Sequence, residues 1–398
     1  MSAVDQGLSS VTNLIAVIAL ARVLSTDEFG VFSLVYTGLT LFLGVSRAFF
    51  GIPLAMAAWE GEVAIRKLYT RSISALLILT LPIVAAIIGL GIVTIGQPMA
   101  TSSLLLVGVV AVATPLVLMQ DAARYYAIST GRQAVAVLSD SVWFAGVTVL
   151  MFLGSEIDST ALALAWLGTI VVAFLIALLA LPPSVDFSGA LRLMVPKRGV
   201  RESVAGLMLL SSSVSLLVAL MVSPIFGVQA VGSLRGAGTL FGPINTLIAF
   251  LDLAVLGSLM KRSRARDARA LALVLGAMIA MTISWAVCLL VLPSQWGAVL
   301  LGETWQGARS LIPATAAEYV LLAAGASMAL VLKARSLAGV LIRNKVLSSA
   351  VILVAVGATI LLTHELIWVA LSLGLGALAG ASAMAVSLAR TLRNDNVQ

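Results

Sequence analysis

An arginine inside an apolar segment is the first feature of this chain that demands chemistry. Between residues 29 and 56, Ser33, Thr37, Thr40, Gly44, Arg47 and Gly51 recur at steps of four, three, four, three and four. That spacing stacks them on one face of a helix. The face is small and polar and carries a cation at its deep end, while the opposite face is Phe, Leu and Val. Close helix packing accounts for Ser, Thr and Gly. It does not account for Arg47, because a charge at bilayer depth costs about 2.5–3.5 kcal/mol and calls for a cavity, an anion or a carboxylate. The guanidinium fork matches phosphate and pyrophosphate oxygens two at a time.

Further polar stripes lie in other apolar segments. Gln6, Ser9, Ser10 and Asn13 share a face of segment 4–24, with Arg22 at its outer end. Arg235, Thr239, Gly242 and Thr246 form a stripe in segment 229–259, beside Gly238, Asn245 and Asp252. Gln120, Asp121, Arg124 and Tyr125 close one segment, Asp140 opens the next, and Glu318 sits within a later one. The candidate substrate-binding set is therefore Arg47, Arg22, Arg235, Gln6, Asn13, Thr40 and Asn245. Asp121, Arg124, Asp140 and Glu318 form a candidate set for ion coupling or mutual pairing.

Plainer readings stand beside these. Arg124 pairs with Asp121 or Asp140 as readily as with a ligand, and Arg22 and Arg235 are close enough to helix ends to snorkel to water. Asp252 lies near Lys261 and Arg262 and reads as structural. A single cysteine, Cys288, and a single histidine, His364, exclude a disulfide framework and a Cys/His metal cluster. P-loop and Rossmann glycine patterns are absent, so no nucleotide or other cofactor is expected.

The elements that hold these residues follow from composition. Of 398 residues, 61% are hydrophobic and 10% charged, and mean hydropathy is +1.12. A water-soluble domain carries about 25% charged residues, so a cytosolic enzyme, a nucleic-acid-binding domain and a disordered chain are all excluded. About 20 apolar residues span a bilayer. On that measure the chain has twelve spans, at approximately 4–24, 29–56, 73–95, 100–126, 134–154, 160–181, 203–223, 229–259, 270–292, 308–332, 346–363 and 366–389. The first is too polar at its start for a cleavable signal peptide.

Orientation comes from the basic residues. Twenty of the 24 Lys and Arg fall on one side, in the alternate loops and the tail, against two, Arg22 and Arg309, on the other. The excess of basic charge marks the cytoplasmic face, so both termini are expected in the cytoplasm of a multi-pass protein. The opposite loops are short and mildly acidic. Membrane polymerases and glycosyltransferases that act outside the cell need a sizeable external loop with carboxylates, so a transporter, a channel or an assembly factor is expected rather than an enzyme.

The longest polar break, 182–202, contains Pro182-Pro183, Pro196 and the cluster Lys197-Arg198-Arg201. It separates residues 1–181 from 203–389, with a tail at 390–398. Pro115 precedes Gln120-Asp121 by five residues, as Pro313 precedes Glu318, and the second and eighth spans each pair a proline with an intramembrane arginine. Two six-helix bundles of the same orientation around a central cavity are the expected all-α architecture.

Asp5-Gln6-x-x-Ser9-Ser10-x-Thr12-Asn13, Ala21-Arg22-Val23-Leu24 and Glu28-Phe29-Gly30-Val31-Phe32 resemble the opening of polysaccharide flippases. These belong to the multidrug/oligosaccharidyl-lipid/polysaccharide exporter superfamily, and the bacterial O-antigen and exopolysaccharide translocases are nearest. Gln120-Asp121-x-x-Arg124-Tyr125 resembles the same group. The pattern is specific over about the first 50 residues, whereas the second half has no matching motif. The resemblance implies a flippase for undecaprenyl-pyrophosphate-linked sugars in the bacterial inner membrane, working by alternating access. Arg22 and Arg47 would match the family's basic positions, with a coupling cation, H+ or Na+, as a possible partner. Two alternatives remain open: a cation-coupled small-molecule or multidrug antiporter of the same superfamily, and a non-transporting membrane component of polysaccharide assembly.

Overall fold

The computed structural model describes residues 3–57, 61–95, 100–153, 157–195, 200–254, 264–335 and 337–395. All regular structure among them is helical. The first nine helices are α1 (Ala3–Val23), α2 (Thr26–Ser46), α3 (Ile52–Ala57), α4 (Glu62–Ile95), α5 (Thr101–Ser129), α6 (Gln133–Leu153), α7 (Ser159–Ala180), α8 (Phe187–Met194) and α9 (Val200–Phe226). The others are α10 (Val228–Leu240), α11 (Gly242–Ala254), α12 (Arg264–Val291), α13 (Ser294–Leu301), α14 (Trp305–Ala334), α15 (Ala338–Leu362) and α16 (Leu366–Asp395).

Each of the twelve expected spans overlaps one helix or a consecutive pair, residues 255–259 of the eighth lying outside the described residues. Among the described residues, nine helical segments are long and apolar enough to cross a bilayer, and Leu8–Val23 and Ser212–Phe226 are shorter apolar stretches. The chain is a multi-pass membrane protein. It forms two compact units, Met1–Ser223 and Pro224–Gln398. The boundary between them lies inside α9, later than the polar break at 182–202. Part of that break is helical, because α8 forms within it.

Local chemistry sets the helix ends. Ser25 and Glu28 form a reciprocal capping box at the start of α2: Ser25 N donates to Glu28 Oε2 at 3.0 Å and Glu28 N to Ser25 Oγ at 3.3 Å. Asp158 caps α7 by accepting from Ala161 N at 2.7 Å. At the far end of α7, Pro182 and Pro183 stop the helix, since proline has no N–H to continue the ladder.

In each unit one helix is the hub. In the first, α5 packs against α2, α4, α6 and α7. In the second, α14 packs against α10, α11, α12, α13 and α16. Both hubs contain an internal proline, Pro115 and Pro313, and both carry an acid from the candidate set, Asp121 and Glu318. A hub touches many neighbours, so its polar groups meet partners from several helices at once.

The second and eighth spans are both irregular. After α2, residues Arg47–Gly51 form a π turn, and Ile52 N donates to Arg47 O. Pro53 cannot donate to the carbonyl of Phe49, and the wider turn re-registers the ladder there. The eighth span was expected to be one helix, but it divides at Phe241 into α10 and α11. Pro243 is the cause, as it removes the donor that Thr239 O would otherwise receive. The neighbouring carbonyl of Leu240 accepts a hydrogen bond from Trp285 Nε1 at 2.8 Å, so the break leaves that oxygen satisfied.

Candidate functional site

The π turn places Arg47 against α5. Its guanidinium engages Asp121 with both prongs: Nε donates to Oδ2 at 3.0 Å and Nη2 to Oδ1 at 2.8 Å. Arg124 Nη1 lies 3.5 Å from the same carboxylate, and Arg124 Nε lies 3.5 Å from Asp140 Oδ2 on α6. Arg124 Nη1 also donates to Ser9 Oγ on α1 at 3.2 Å. The result is an alternating chain, Arg47, Asp121, Arg124, Asp140, which ties together four of the helices in the first unit.

Burial gives this chain a direction. The side chains of Asp121, Arg124 and Asp140 are 7%, 5% and 7% exposed, whereas that of Arg47 is 31% exposed. Two cations and two carboxylates balance over the whole alternating chain, and the two buried carboxylates are matched only when Arg47 is counted with Arg124. The open end of that chain is a guanidinium whose plane and orientation are fixed by a bidentate carboxylate. Arg47 is therefore not a lone cation, as the sequence left possible, but a paired one that still reaches accessible surface.

A second contact braces the network. Gln120 Nε2 donates to Ser139 Oγ at 3.0 Å, and Ser139 Oγ donates to Ala173 O on α7 at 2.8 Å. Gln120, Arg124, Ser139 and Asp140 line a narrow crevice between α5, α6 and α7. Ser139 escaped the sequence reading because a serine in an apolar helix has no pattern that sets it apart from packing.

The other candidates of the first unit lie elsewhere. Arg22 Nη1 donates to Met151 O in the last turn of α6 at 3.0 Å. It thereby caps a helix C-terminus, a position that favours cations. The 21 residues of α2 separate Arg22 from Arg47, about 30 Å at 1.5 Å per residue. The two arginines thus occupy opposite ends of a span and do not form one anion pocket.

Asn13 Oδ1 accepts from Tyr36 Oη at 3.2 Å. Tyr36 belongs to an aromatic group with Phe29, Phe32 and Trp166. Thr40 Oγ1 returns to the carbonyl of Thr37 at 2.9 Å, an internal bond of α2. Gln6 lies on α1, but its side chain is outside the described residues.

In the second unit the break between α10 and α11 gathers polar groups. Asn245 Nδ2 donates to Tyr319 Oη at 2.9 Å, and Tyr319 Oη donates to Gly238 O at 3.3 Å. The Tyr319 ring stacks on Phe241 with centroids 4.8 Å apart. Asn245 thus stitches the break to α14. Arg235 lies one turn before Thr239, whose Oγ1 donates to Arg235 O at 2.8 Å, a bond within α10. Glu318 is half-buried next to Tyr319, and no hydrogen bond or ion pair engages its carboxyl among the described residues. No group of three or more His, Cys, Asp or Glu that could hold a metal occurs among the described residues.

Two units of this kind, each built around a proline-containing hub helix, define the class: a multi-pass helical membrane protein. The fold matches that of a multidrug resistance transporter of the MATE family and MOP superfamily in its inward-facing conformation, with TM-score 0.70 and 12% identity over 97% of this chain and 96% of that one. It also matches the lipid II flippase MurJ in an inward closed conformation, with TM-score 0.72 and 12% identity over 96% of this chain and 86% of MurJ. A MATE structure in the bent conformation gives TM-score 0.63 and 14% identity over 100% and 96%. At these identities the likeness is one of fold. No family model matches the chain and no curated protein matches its sequence.

Proposed function

We propose that this protein translocates an undecaprenyl-pyrophosphate-linked oligosaccharide across the bacterial cytoplasmic membrane by alternating access. The observation that carries the reading is Arg47. Its guanidinium is pre-oriented by Asp121 and its side chain is 31% exposed, an arrangement suited to receiving a diphosphate without the entropic cost of finding its orientation. Asp121 is its positioning partner, and an arriving anion would share or replace that contact. The opening motifs and the likeness of fold to a lipid II flippase agree with this reading.

The test is depletion of the protein in its native host. Lipid-linked precursor is expected to accumulate in the inner leaflet while surface polysaccharide falls. Unchanged levels of both on full depletion would remove the flippase reading.

A second reading, a cation-coupled small-molecule antiporter, has one observation of its own. Glu318 on the hub of the second unit is an acid in an apolar helix without a bonded partner among the described residues, which suits a site that takes up a proton or Na+. Proton- or Na+-driven uptake of organic cations by reconstituted protein, with no flipping of lipid pyrophosphates, would favour it.

Orientation follows from the distribution of basic residues, with both termini cytoplasmic. With Cys288→Ser as background, a cysteine replacing Arg264 is expected to react with an impermeant maleimide only after the cells are opened. Reaction in intact cells would reverse the topology.

A further inference from the structure

Helix α8 is eight residues long, about 12 Å, so it cannot span a bilayer. Its side chains divide into three sectors. Gly189 and Ala190 are buried, and Leu193 and Met194 join the core beneath α4 and α5. On the adjoining side Phe187 and Leu191, one turn apart, are 53% and 55% exposed. Ser188 and Arg192 are exposed on the third side. Val185 before the helix and Val195 after it are likewise 59% and 58% exposed. An exposed row of two valines, a phenylalanine and a leucine is poorly placed for water.

The segment is also clipped to the transmembrane part of its unit. Tyr69 Oη donates to Leu181 O at 3.0 Å, Asp186 N donates to Ser74 Oγ at 2.9 Å, and Arg71 Nε donates to Asp186 Oδ2 at 3.0 Å. Asp186 Oδ1 accepts from Gly189 N at 2.8 Å, which starts the helix. A Cβ at residue 189 would collide with Asp186 and Arg71, so only glycine permits this closeness. The N–H of Gly189 and then the Arg71 guanidinium hold the Asp186 carboxyl below its usual range. The carboxylate's part of the clip is therefore present at neutral pH and weakens only as pH falls through that depressed value.

The clip fixes which way the bare row faces. It holds α8 on α4, whose own exposed side carries Leu77 and Leu81 farther along toward the bilayer interior and Arg66 and Lys67 at its start. The sequence that follows adds Lys197, Arg198 and Arg201 to Arg192. Of the two acids in this stretch, Asp186 is already bonded, and Glu202 follows Arg201 in sequence. Apolar side chains continuous with a lipid-facing helix, flanked by a run of cations, are the pattern of a helix lying in a membrane interface with anionic headgroups.

We propose that α8 is a membrane-interface helix that seats Val185, Phe187, Leu191 and Val195 in the bilayer surface and gathers anionic lipid headgroups around Arg192 and the neighbouring Arg66 and Lys67 of α4. Its partner is the anionic lipid surface of the leaflet on the side of the basic loops. The proposal is independent of what the protein transports.

The test uses full-length protein with Cys288→Ser, spin-labelled in turn at Phe187→Cys, Leu191→Cys and Ser188→Cys, in vesicles of phosphatidylcholine alone or with phosphatidylglycerol. Power saturation with oxygen and with a water-soluble relaxant reads depth. In the anionic vesicles the labels at 187 and 191 are expected about 5–10 Å below the headgroup boundary, and the label at 188 in water. In phosphatidylcholine alone, and in the anionic vesicles after Arg66, Lys67 and Arg192 are changed to Gln, both deep labels are expected to become shallower. Equal water accessibility at 187, 191 and 188 would overturn the proposal. So would equal depth in the two lipid mixtures. Labels at 187 and 191 shielded from both relaxants, as a protein partner or a second copy would shield them, would overturn it as well.

Discussion

Asp121→Ala is expected to destabilise the purified protein by about 3–5 kcal/mol, the usual cost of removing one partner from a buried ion pair. The carboxylate serves two arginines. Without it, Arg47 can turn toward accessible surface, but Arg124, 5% exposed, loses its 3.5 Å approach to Asp121 while buried beside Asp140 and Ser9. A guanidinium cannot lose its charge at any accessible pH, so relief by deprotonation is closed to it. Asp121→Asn keeps the shape and one acceptor oxygen and should lose less.

A combined Arg47→Met, Asp121→Leu protein should lose less than the sum of the two single changes, since an apolar pair of similar volume often replaces a buried ion pair at little cost. Melting of the detergent-solubilised protein, arranged as a double-mutant cycle, measures each value. An Asp121→Ala protein that melts with wild type would mean that Asp121 does not hold the bundle together.

Arg47 is expected to show the opposite balance, a modest effect on folding and a large one on transport. In Arg47→Ala, Asp121 keeps Arg124 Nη1 at 3.5 Å, so its charge is not stranded. What disappears is the accessible fork. Charge-assisted hydrogen bonds contribute about 1.5–3 kcal/mol each. If a diphosphate leaving water depends on Arg47, transport should drop about ten- to a hundredfold. Arg47→Lys keeps a point charge but not the two-pronged geometry, and should retain an intermediate rate.

The readout is flipping of a lipid-linked oligosaccharide by purified protein in vesicles, normalised to folded protein by size-exclusion chromatography. A well-folded Arg47→Ala protein that flips at the wild-type rate would retire the anion-receiving role. In that outcome the Arg47–Asp121 pair would be structural alone.

Much of the molecule was legible before any coordinates. The apolar runs and their interruptions marked the helical segments, nine of them long and apolar enough to cross a bilayer among the described residues, because a bilayer core accepts only segments that satisfy their own backbone hydrogen bonds. Glycines, prolines and charges could then sit only at the ends or at a cost. Arg47 stood out for the same reason, as did the need for an anion near it. The echo of Pro115 with Asp121 in Pro313 with Glu318 pointed to the two helices that turn out to be the hubs of their units.

Partner choice was not legible. Asp121 could be read as the mate of Arg124, three residues on, because sequence reports neighbours along one helix and not those across a bundle. Only the tertiary structure could decide that Arg47, 74 residues away, takes the bidentate contact while Arg124 bridges to Asp140. It also decided that Arg22 caps α6 rather than joining Arg47, and that Asn245 ties a broken span to Tyr319. The physical reason is the same in each case. Hydropathy is a property of one segment against lipid, fixed by composition. An ion pair or a capping bond depends on the packing rotation of two helices, which is set by the fit of many side chains and by irregular turns such as the one at Arg47–Gly51.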